Sequence, residues 1–177
     1  MKINNKSKRF LVSIILLSSF VFHNAVEAQS PYYVVPFVGN AIVTNGPGEG
    51  YYHNSGSPSA EAIDFVLPAG TPVYSARPGI VIYANNGYND GYGNLIKIRH
   101  DNGEISYYAH LSKIFVTKDQ SVNYTTIIGE VGNSGCNQYS PPCGIHLHFE
   151  VRSSSNTAVN VRSGLSLMQA RKPEFEV

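Results

Sequence analysis

The chain has 177 residues, which suits a single domain, and its 13 Lys and Arg residues nearly balance its 12 Asp and Glu residues. The resulting net charge of +1 at pH 7 gives no support to a nucleic-acid partner, because such a partner requires a clustered basic face.

The first 28 residues have the pattern of a secretory signal peptide that is cut after Ala28. A basic start precedes an apolar block, residues 10–22, which only serines interrupt and which is too short to span a bilayer comfortably. Val26 and Ala28 occupy the small-residue positions that precede a cleavage site. The alternative, an uncleaved membrane anchor, agrees less well with the short block. We therefore expect a secreted or periplasmic protein that is not stably inserted in a membrane after cleavage.

The rest of the chain has no heptads, no long helical period and no internal repeat. Its short runs rich in Val, Ile, Tyr and Phe are separated by Gly, Pro, Asn and Asp, which is typical of an antiparallel β protein. Asp-Asn-Gly at 101–103 has the turn chemistry of a hairpin between two such runs. The predicted strands are residues 62–66, 72–76, 79–84, 94–100, 104–110, 126–132 and 145–151.

Outside these strands, residues 29–61 are rich in Gly, Tyr, Pro and Ser and are predicted to be mainly loop. One short helix is predicted near residues 164–172. The predicted organisation is a signal peptide (1–28), an N-terminal segment of the mature chain (29–47), one domain (48–152) and a C-terminal tail that packs on the domain (153–177).

Two cysteines, Cys136 and Cys143, precede the last predicted strand. In an exported protein such a pair indicates a disulfide, although two free thiols or a zinc site that uses both remain as weaker alternatives. The closed ring would be small, so its loop-closure contribution to stability is about 2.5 kcal/mol at most. Its main effect would be to shape the loop before that strand.

The last predicted strand, within "CGIHLHFEV" at 143–151, carries two histidines in an apolar run. Because successive side chains of a strand face opposite ways, His146, His148 and Glu150 share one face. The opposite, apolar face is predicted to be core and comprises Ile145, Leu147, Phe149 and Val151.

The same alternation applies to two other predicted strands. In 104–110, His110 is predicted to share a face with Ser106 and Tyr108, and in 62–66 Asp64 points away from the apolar residues beside it. Neutral imidazoles and a carboxylate are suitable ligands for zinc, and a catalytic zinc keeps three protein ligands and one open position for water. A nearby imidazole can then move the proton. A His-X-His pair alone is a weak indication of such a site.

Five separated blocks follow one another in order: "AIDF", "PAGTPVYSARPGIVIYA", "GYGNLIKIRHDNGEISYYAHL", "IGEVGNSG" and "GIHLHFEVR". Together they closely resemble the lysostaphin-type zinc endopeptidases, which include the LytM-like and β-lytic enzymes, over roughly residues 48–152. The resemblance implies a mainly β fold, a single antiparallel β-sheet domain of the duplicated-hybrid-motif type with a groove across a twisted sheet. It also implies one Zn²⁺ per chain in the groove and cleavage of bacterial cell-wall peptides, often next to glycine.

The resemblance assigns roles to individual residues. Asp64 and His148 match two zinc ligands of the family, whereas His146 and His110 match two catalytic histidines that contact the reacting water or the substrate. Most of the family has His-X-X-X-Asp, but Ala60 stands four positions before Asp64. The β-lytic branch has a longer gap here, and by that similarity His53 is the third ligand.

Three further features are predicted less specifically. His100, beside the turn at 101–103, matches a histidine of the family and is interpreted as structural. Glu150 either orients one of the histidines of its face or is a solvated charge at the sheet edge. Tyr51 and Tyr52 either line the groove, steady an oxyanion or simply pack against the domain.

The sequence therefore predicts an exported zinc metalloendopeptidase, monomeric, that acts on peptidoglycan peptides or another Gly-rich peptide. The bond could lie in a glycine-rich bridge, a stem-peptide cross-link or a Gly-rich protein. Two alternatives remain open. One is a non-catalytic relative that binds the wall or regulates other wall enzymes, and the other is a generic secreted β-sheet binding domain with incidental histidines.

Overall fold

A computed structural model describes residues 33–45, 48, 53, 56–136 and 143–161. The predicted signal peptide, Tyr51, Tyr52 and the helix predicted near 164–172 lie outside the described residues. Within the described part of the chain, no helix has both the length and the apolar character needed to cross a membrane.

The described chain forms one antiparallel β-sheet, as predicted. The strands are β1 (Ile42–Asn45), β2 (Ile63–Val66), β3 (Pro72–Tyr74), β4 (Gly79–Asn85), β5 (Asn94–Arg99), β6 (Ile105–Ile114), β7 (Ser121–Val122), β8 (Ile127–Val131) and β9 (Leu147–Arg152). Their spatial order is β1-β2-β9-β6-β5-β4-β7, and β8 pairs with both β6 and β3. A short 3-10 turn at Asn89–Gly91 joins β4 to β5.

All seven predicted strands are present, and two short strands were not predicted. The prediction that residues 29–61 are mainly loop did not include β1, which pairs with β2 at the edge of the sheet. Its two apolar residues, Ile42 and Val43, are adjacent and both exposed, so β1 lacks the alternation that marks a half-buried strand. The two-residue β7, which pairs with β4, is too short to carry any alternation.

One face of the sheet carries the main hydrophobic core. Its largest fully buried side chains include Tyr108, Phe149 and Ile63, from the three neighbouring strands β6, β9 and β2. Residues before β1 complete this core, because the rings of Tyr33 and Phe37 pack edge-on against Phe149 and Phe65. The segment after β9 returns to the sheet through a hydrogen bond from Val159 N to Val151 O.

The two faces of β9 are both enclosed by protein. Leu147, Phe149 and Val151 are fully buried in the core as predicted, but Ile145 precedes the strand and is 41% exposed, so its predicted place in the core is wrong. The opposite face, with His148 and Glu150, is also buried. The polar side chains on this face of β9 are therefore buried rather than fully solvated.

The prediction for β6 also needs a correction. Tyr108 lies on the core face, opposite Phe149, so simple alternation would place His110 in the core as well. Instead β6 contains a bulge: Ile96 pairs with Tyr108 but Asn94 pairs with Leu111, which leaves one extra residue in β6. His110 adopts φ +59° at this point, and the irregularity turns its side chain to the face that carries His148.

Candidate metal and catalytic site

A cleft of about 500 Å³ lies on the face of the sheet opposite the core. Its floor is formed where β2 and β9 pair, and the bulge of β6 and the segments before β2 and β9 supply its walls. Among the residues that line the cleft are all five predicted site residues, His53, Asp64, His110, His146 and His148.

Three of these residues offer donor atoms to a common point. Asp64 and His148 are directly paired on neighbouring antiparallel strands, and Asp64 Oδ1 lies 3.0 Å from His148 Nδ1. Nε2 of His53 lies 3.6 Å from the same oxygen, and one donor atom from each of the three residues lies within 4.8 Å of the others. Two donors bound tetrahedrally to one zinc ion at its usual bond lengths are about 3.4 Å apart, so these separations fit such an ion.

Asp64 is oriented by a residue that the sequence did not single out. Asn45 of β1 donates from Nδ2 to Asp64 Oδ2, at 2.9 Å, which leaves Oδ1 to face the three histidines. Asn45 pairs with Asp64 across the β1–β2 ladder, after an irregularity in its register. Sequence reasoning missed Asn45 because β1 was taken for loop.

Glu150 stands behind His148 and belongs to a buried polar network. The side chain is 1% exposed, and its Oε2 lies 3.9 Å from His148 Nε2. Oε1 accepts hydrogen bonds from Arg152 at 2.5 Å and from Tyr92 Oη at 3.1 Å. This burial rules out a solvated edge charge. It agrees with the other interpretation, a carboxylate that orients a metal-binding histidine through its second nitrogen.

Tyr92 and Arg152 are the members of this network that the sequence analysis missed. The Tyr92 hydroxyl accepts a hydrogen bond from Arg152 at 2.6 Å and contacts Ser59 Oγ at 2.9 Å, and its ring packs edge-on against His148. The Arg152 guanidinium also stacks over the ring of Tyr107. The contacts of Tyr92 join residues far apart in the chain, so no local pattern indicates them, whereas Arg152 lies two positions after Glu150 on the same face of β9.

The electrostatics of the three-donor cluster favour a positive charge. Burial alone would raise the pKa of Asp64, but the hydrogen bond and charge of His148, with the charges of the other histidines, hold it well below its ordinary value. Burial would lower the pKa of His148, but its contacts with Asp64 and Glu150 raise it to about 9. A cation placed between these carboxylates is therefore stabilised, and a bound metal ion would be such a cation.

His110 and His146 form a second pair beside the cluster, with ring centroids 4.6 Å apart. His110 Nδ1 donates to the carbonyl of Ser134 and His146 Nδ1 to that of Gly144, each at 2.8 Å. Because a carbonyl only accepts, both rings in the neutral form carry their proton on Nδ1 and present an unprotonated Nε2. Burial and the neighbouring histidines lower the pKa of His110 to about 3, so its ring is neutral near pH 7.

The family follows from comparison with known proteins. A sequence profile described as "Peptidase family M23" matches residues 58–161, which is more than half of the chain. The chain belongs to peptidase family M23. Members of this family are metallopeptidases, and the lysostaphin-like fold expected from the sequence is confirmed by the solved structures that resemble this one.

Three similar proteins illustrate the relationship. Peptidoglycan DD-endopeptidase ShyA of Vibrio cholerae is 41% identical over 88 residues, 50% of this chain and 19% of that protein. A zinc-containing peptidase from Vibrio cholerae superposes with a TM-score of 0.58 at 30% identity, covering 74% of this chain and 39% of the other. The antimicrobial peptidase lysostaphin from Staphylococcus simulans superposes with a TM-score of 0.62 at 28% identity, covering 82% of this chain and 58% of the other.

This chain spans only part of the length of its curated relatives. It covers between 19% and 25% of the length of the first of them, so the similarity concerns the peptidase domain rather than those whole proteins. The structure brings together in one cleft the five residues that the sequence resemblance indicated as metal ligands and catalytic histidines. His53 lies with Asp64 and His148, whereas Ala60 occupies the position four before Asp64 where most of the family has a histidine.

The two cysteines of this M23 domain form a disulfide, Cys136–Cys143, and Cys143 lies at the rim of the cleft. The sulfurs lie near His110 in an arrangement that thiolates could use to hold a metal. Because the sulfurs are bonded to each other, they offer no thiolate, and the alternatives of free thiols and of a zinc site using both cysteines are not realised.

His100 lies outside the cleft, on the core side of the sheet. Its Nδ1 donates to the Pro78 carbonyl at 2.9 Å, and its Nε2 lies 2.8 Å from Ser106 Oγ. Burial lowers the pKa of His100 to about 4, so the ring is neutral near pH 7. This environment agrees with the interpretation of His100 as a structural residue.

Proposed function

We propose that this protein is an exported zinc-dependent endopeptidase that hydrolyses peptide bonds in bacterial cell-wall peptidoglycan. The observation that carries the proposal is the arrangement in one cleft of a His-Asp-His donor set beside two imidazoles whose unprotonated Nε2 atoms remain available. Family M23 supplies the reaction class, and the signal-peptide pattern of residues 1–28 supports export.

The residues present fit zinc. His53, Asp64 and His148 supply two nitrogens and one oxygen, a combination that zinc accepts in catalytic sites with three protein ligands. In the same cluster, Glu150 faces the second nitrogen of His148, as the carboxylates behind metal-binding histidines commonly do. When bound, zinc would polarise a substrate carbonyl and lower the pKa of water.

His110 and His146 are assigned to proton transfer. Each Nε2 can take a proton from an attacking water, and each ring, once protonated, can donate it to the nitrogen that leaves the cleaved peptide bond. Their Nδ1 bonds to the carbonyls of Ser134 and Gly144 persist through both steps and hold the rings in place. Asp64 lies 3.7 Å from His146 Nε2 and would stabilise the charged ring.

Peptidoglycan is proposed as the substrate because relatives that match this chain over the domain include one named as a peptidoglycan DD-endopeptidase. Two classes of bond remain candidates, stem-peptide cross-links and glycine-containing bridges. A purely binding role was suggested by Ala60, but His53 offers a donor atom beside those of Asp64 and His148, which favours the catalytic role.

Mass spectrometry of fragments released from purified peptidoglycan tests the proposal and identifies the bond. The wild-type protein should release peptides whose new termini lie at one type of bond, and a chelator should stop the release. His148→Ala should lose both metal and activity, whereas His146→Ala should keep the metal and lose about 100-fold or more in rate. Release that continues in His148→Ala, or in the presence of chelator, would contradict the proposal.

A further inference from the structure

Two loop segments hold the two histidines assigned to proton transfer, and one disulfide joins these segments. The carbonyl that accepts from His110 belongs to Ser134, shortly before Cys136 in the chain. The carbonyl that accepts from His146 belongs to Gly144, which directly follows Cys143. The disulfide thus connects, through a few backbone bonds, the two acceptors that set the tautomers of both rings.

The segment at Cys136 is firmly anchored to the sheet. Ser134 Oγ donates to the Leu111 carbonyl at 2.7 Å and accepts from the Asn94 amide at 2.8 Å. Gly135 packs so closely on the neighbouring turn that a Cβ there would lie 2.6 Å from Gly93 N. Cys136 is fully buried, and its sulfur lies 3.7 Å from His110 Nδ1. These contacts hold Cys136 firmly in place, and we call this end of the disulfide the fixed point.

The segment at Cys143 makes few contacts with the part of the chain that the structure describes. Gly144 is exposed, no heavy atom of the described residues lies within 4 Å of the place its Cβ would take, and Ile145 is exposed as well. After Ile145, the segment is held by a hydrogen bond from His146 N to Gly132 O. Before Gly144, the disulfide links it to the fixed point. The position of the Gly144 carbonyl therefore depends on the bond from Cys143 to Cys136.

We propose that Cys136 and Cys143 are positioning residues: their disulfide holds the Gly144 carbonyl where it fixes the His146 ring, with Nε2 toward the cleft. This inference rests on the proposed function. Asp64 and His148, two of the three donors, are held by their pairing within the sheet rather than by the disulfide. Loss of the disulfide should therefore slow the reaction and leave zinc affinity unchanged, with a larger effect on His146 than on His110.

The test compares wild type with the double variant Cys136→Ser/Cys143→Ser and with Ile128→Ala. Ile128 is fully buried in β8, away from the cleft, so its truncation lowers thermal stability without touching the site. Three quantities are measured: kcat and KM on a peptide from peptidoglycan, zinc affinity by competition with a chromophoric chelator, and the histidine tautomers of the metal-free protein by long-range ¹H–¹⁵N spectra.

In the double variant we expect kcat to fall about tenfold or more, because an acid–base group of this kind contributes about 100-fold or more when it is well placed. KM and the zinc Kd should stay within about twofold of wild type, and His146 should lose its single Nδ1–H form. An unchanged kcat with an unchanged His146 spectrum would overturn the inference, as would an equal fall of kcat in Ile128→Ala.

If the double variant does not fold, wild type is reduced with a water-soluble phosphine. The disulfide then becomes two thiols while the phosphine takes an oxygen atom from water, and reoxidation should restore kcat. A failure of the proposed function has a different signature: oxidised wild type would show no chelator-sensitive cleavage at all. The tautomer of His146 would still report on the disulfide in that case.

Discussion

Glu150→Gln is the substitution that tests the buried network behind His148 most sharply. The two side chains have nearly the same shape, but the amide has one oxygen and one NH₂ group. Arg152 donates to Oε1, and so does Tyr92, so the amide oxygen of the variant must take this position. The NH₂ group then occupies the position of Oε2, 3.9 Å from His148 Nε2.

This orientation reverses the preference of the histidine ring. A carboxylate at this distance favours the form of His148 with its proton on Nε2 and leaves Nδ1 free to bind a metal beside Asp64. An NH₂ group favours the opposite form, in which Nε2 accepts and Nδ1 carries the proton. Before a metal can bind through Nδ1 in the variant, the proton of His148 must move to Nε2. The Nε2–H group then faces the NH₂ group of the new amide, and these two donors repel each other.

The expected loss of zinc affinity is about 10-fold to 100-fold, the range found for substitutions behind metal ligands, which corresponds to about 1.4 to 2.7 kcal/mol. Zinc affinity is measured by competition with a chromophoric chelator at constant pH. Tyr92→Phe is the matched control, because it removes one hydrogen bond to Oε1 and keeps the carboxylate. The reasoning is refuted if Glu150→Gln binds zinc within twofold of wild type, or no more weakly than Tyr92→Phe.

Two further predictions follow from the same structure. Asn45→Ala removes the donor to Asp64 Oδ2 and should weaken zinc binding about 10-fold in the same competition assay, whereas unchanged affinity would show that the sheet alone orients Asp64. His100 has a folded-state pKa of about 4 against about 6.5 in the unfolded chain, so its contribution to stability is complete above pH 6.5 and falls as the pH drops toward 4, by about 3 kcal/mol. Urea unfolding at several pH values should show this fall in wild type and a shallower one in His100→Asn, and equal slopes would contradict it.

The sequence predicted the fold where local patterns govern it. Regular alternation in β9 separates Phe149, which is buried in the core, from His148, which lines the cleft, and such alternation follows directly from strand geometry. The resemblance to the lysostaphin-type enzymes indicated the residues of the donor set, including His53 across a longer gap, and the structure brings them together.

Alternation failed where the backbone departs from a regular strand. His110 reaches the cleft because β6 has a bulge at which this residue adopts φ +59°. The position carries no glycine, so nothing in the sequence indicated the bulge. The partners of Asp64 and Glu150 were missed for another reason. Asn45 lies on an exposed edge strand without alternation, and Tyr92 comes from a segment that is distant in the chain from Glu150 and Arg152. Arg152 lies two positions after Glu150, so alternation places it on the same face of β9 but does not indicate its contact with Tyr92.

The disulfide could be predicted from the sequence only in part. A cysteine pair in an exported chain predicts the bond, but not that each cysteine lies within two residues of a carbonyl that holds a histidine. That connection exists only after the bulge of β6 and the segment before β9 meet at the cleft.

The metal content of the purified protein tests the central claim most directly. Elemental analysis of wild type and of His53→Ala, both purified without added metal and then dialysed against zinc, compares the donor set with and without its least expected member. The structure predicts stoichiometric zinc in wild type and little in the variant, because His53 supplies one of the three donor atoms. Equal zinc in both proteins, or none in wild type, would contradict the claim that His53, Asp64 and His148 together hold the metal.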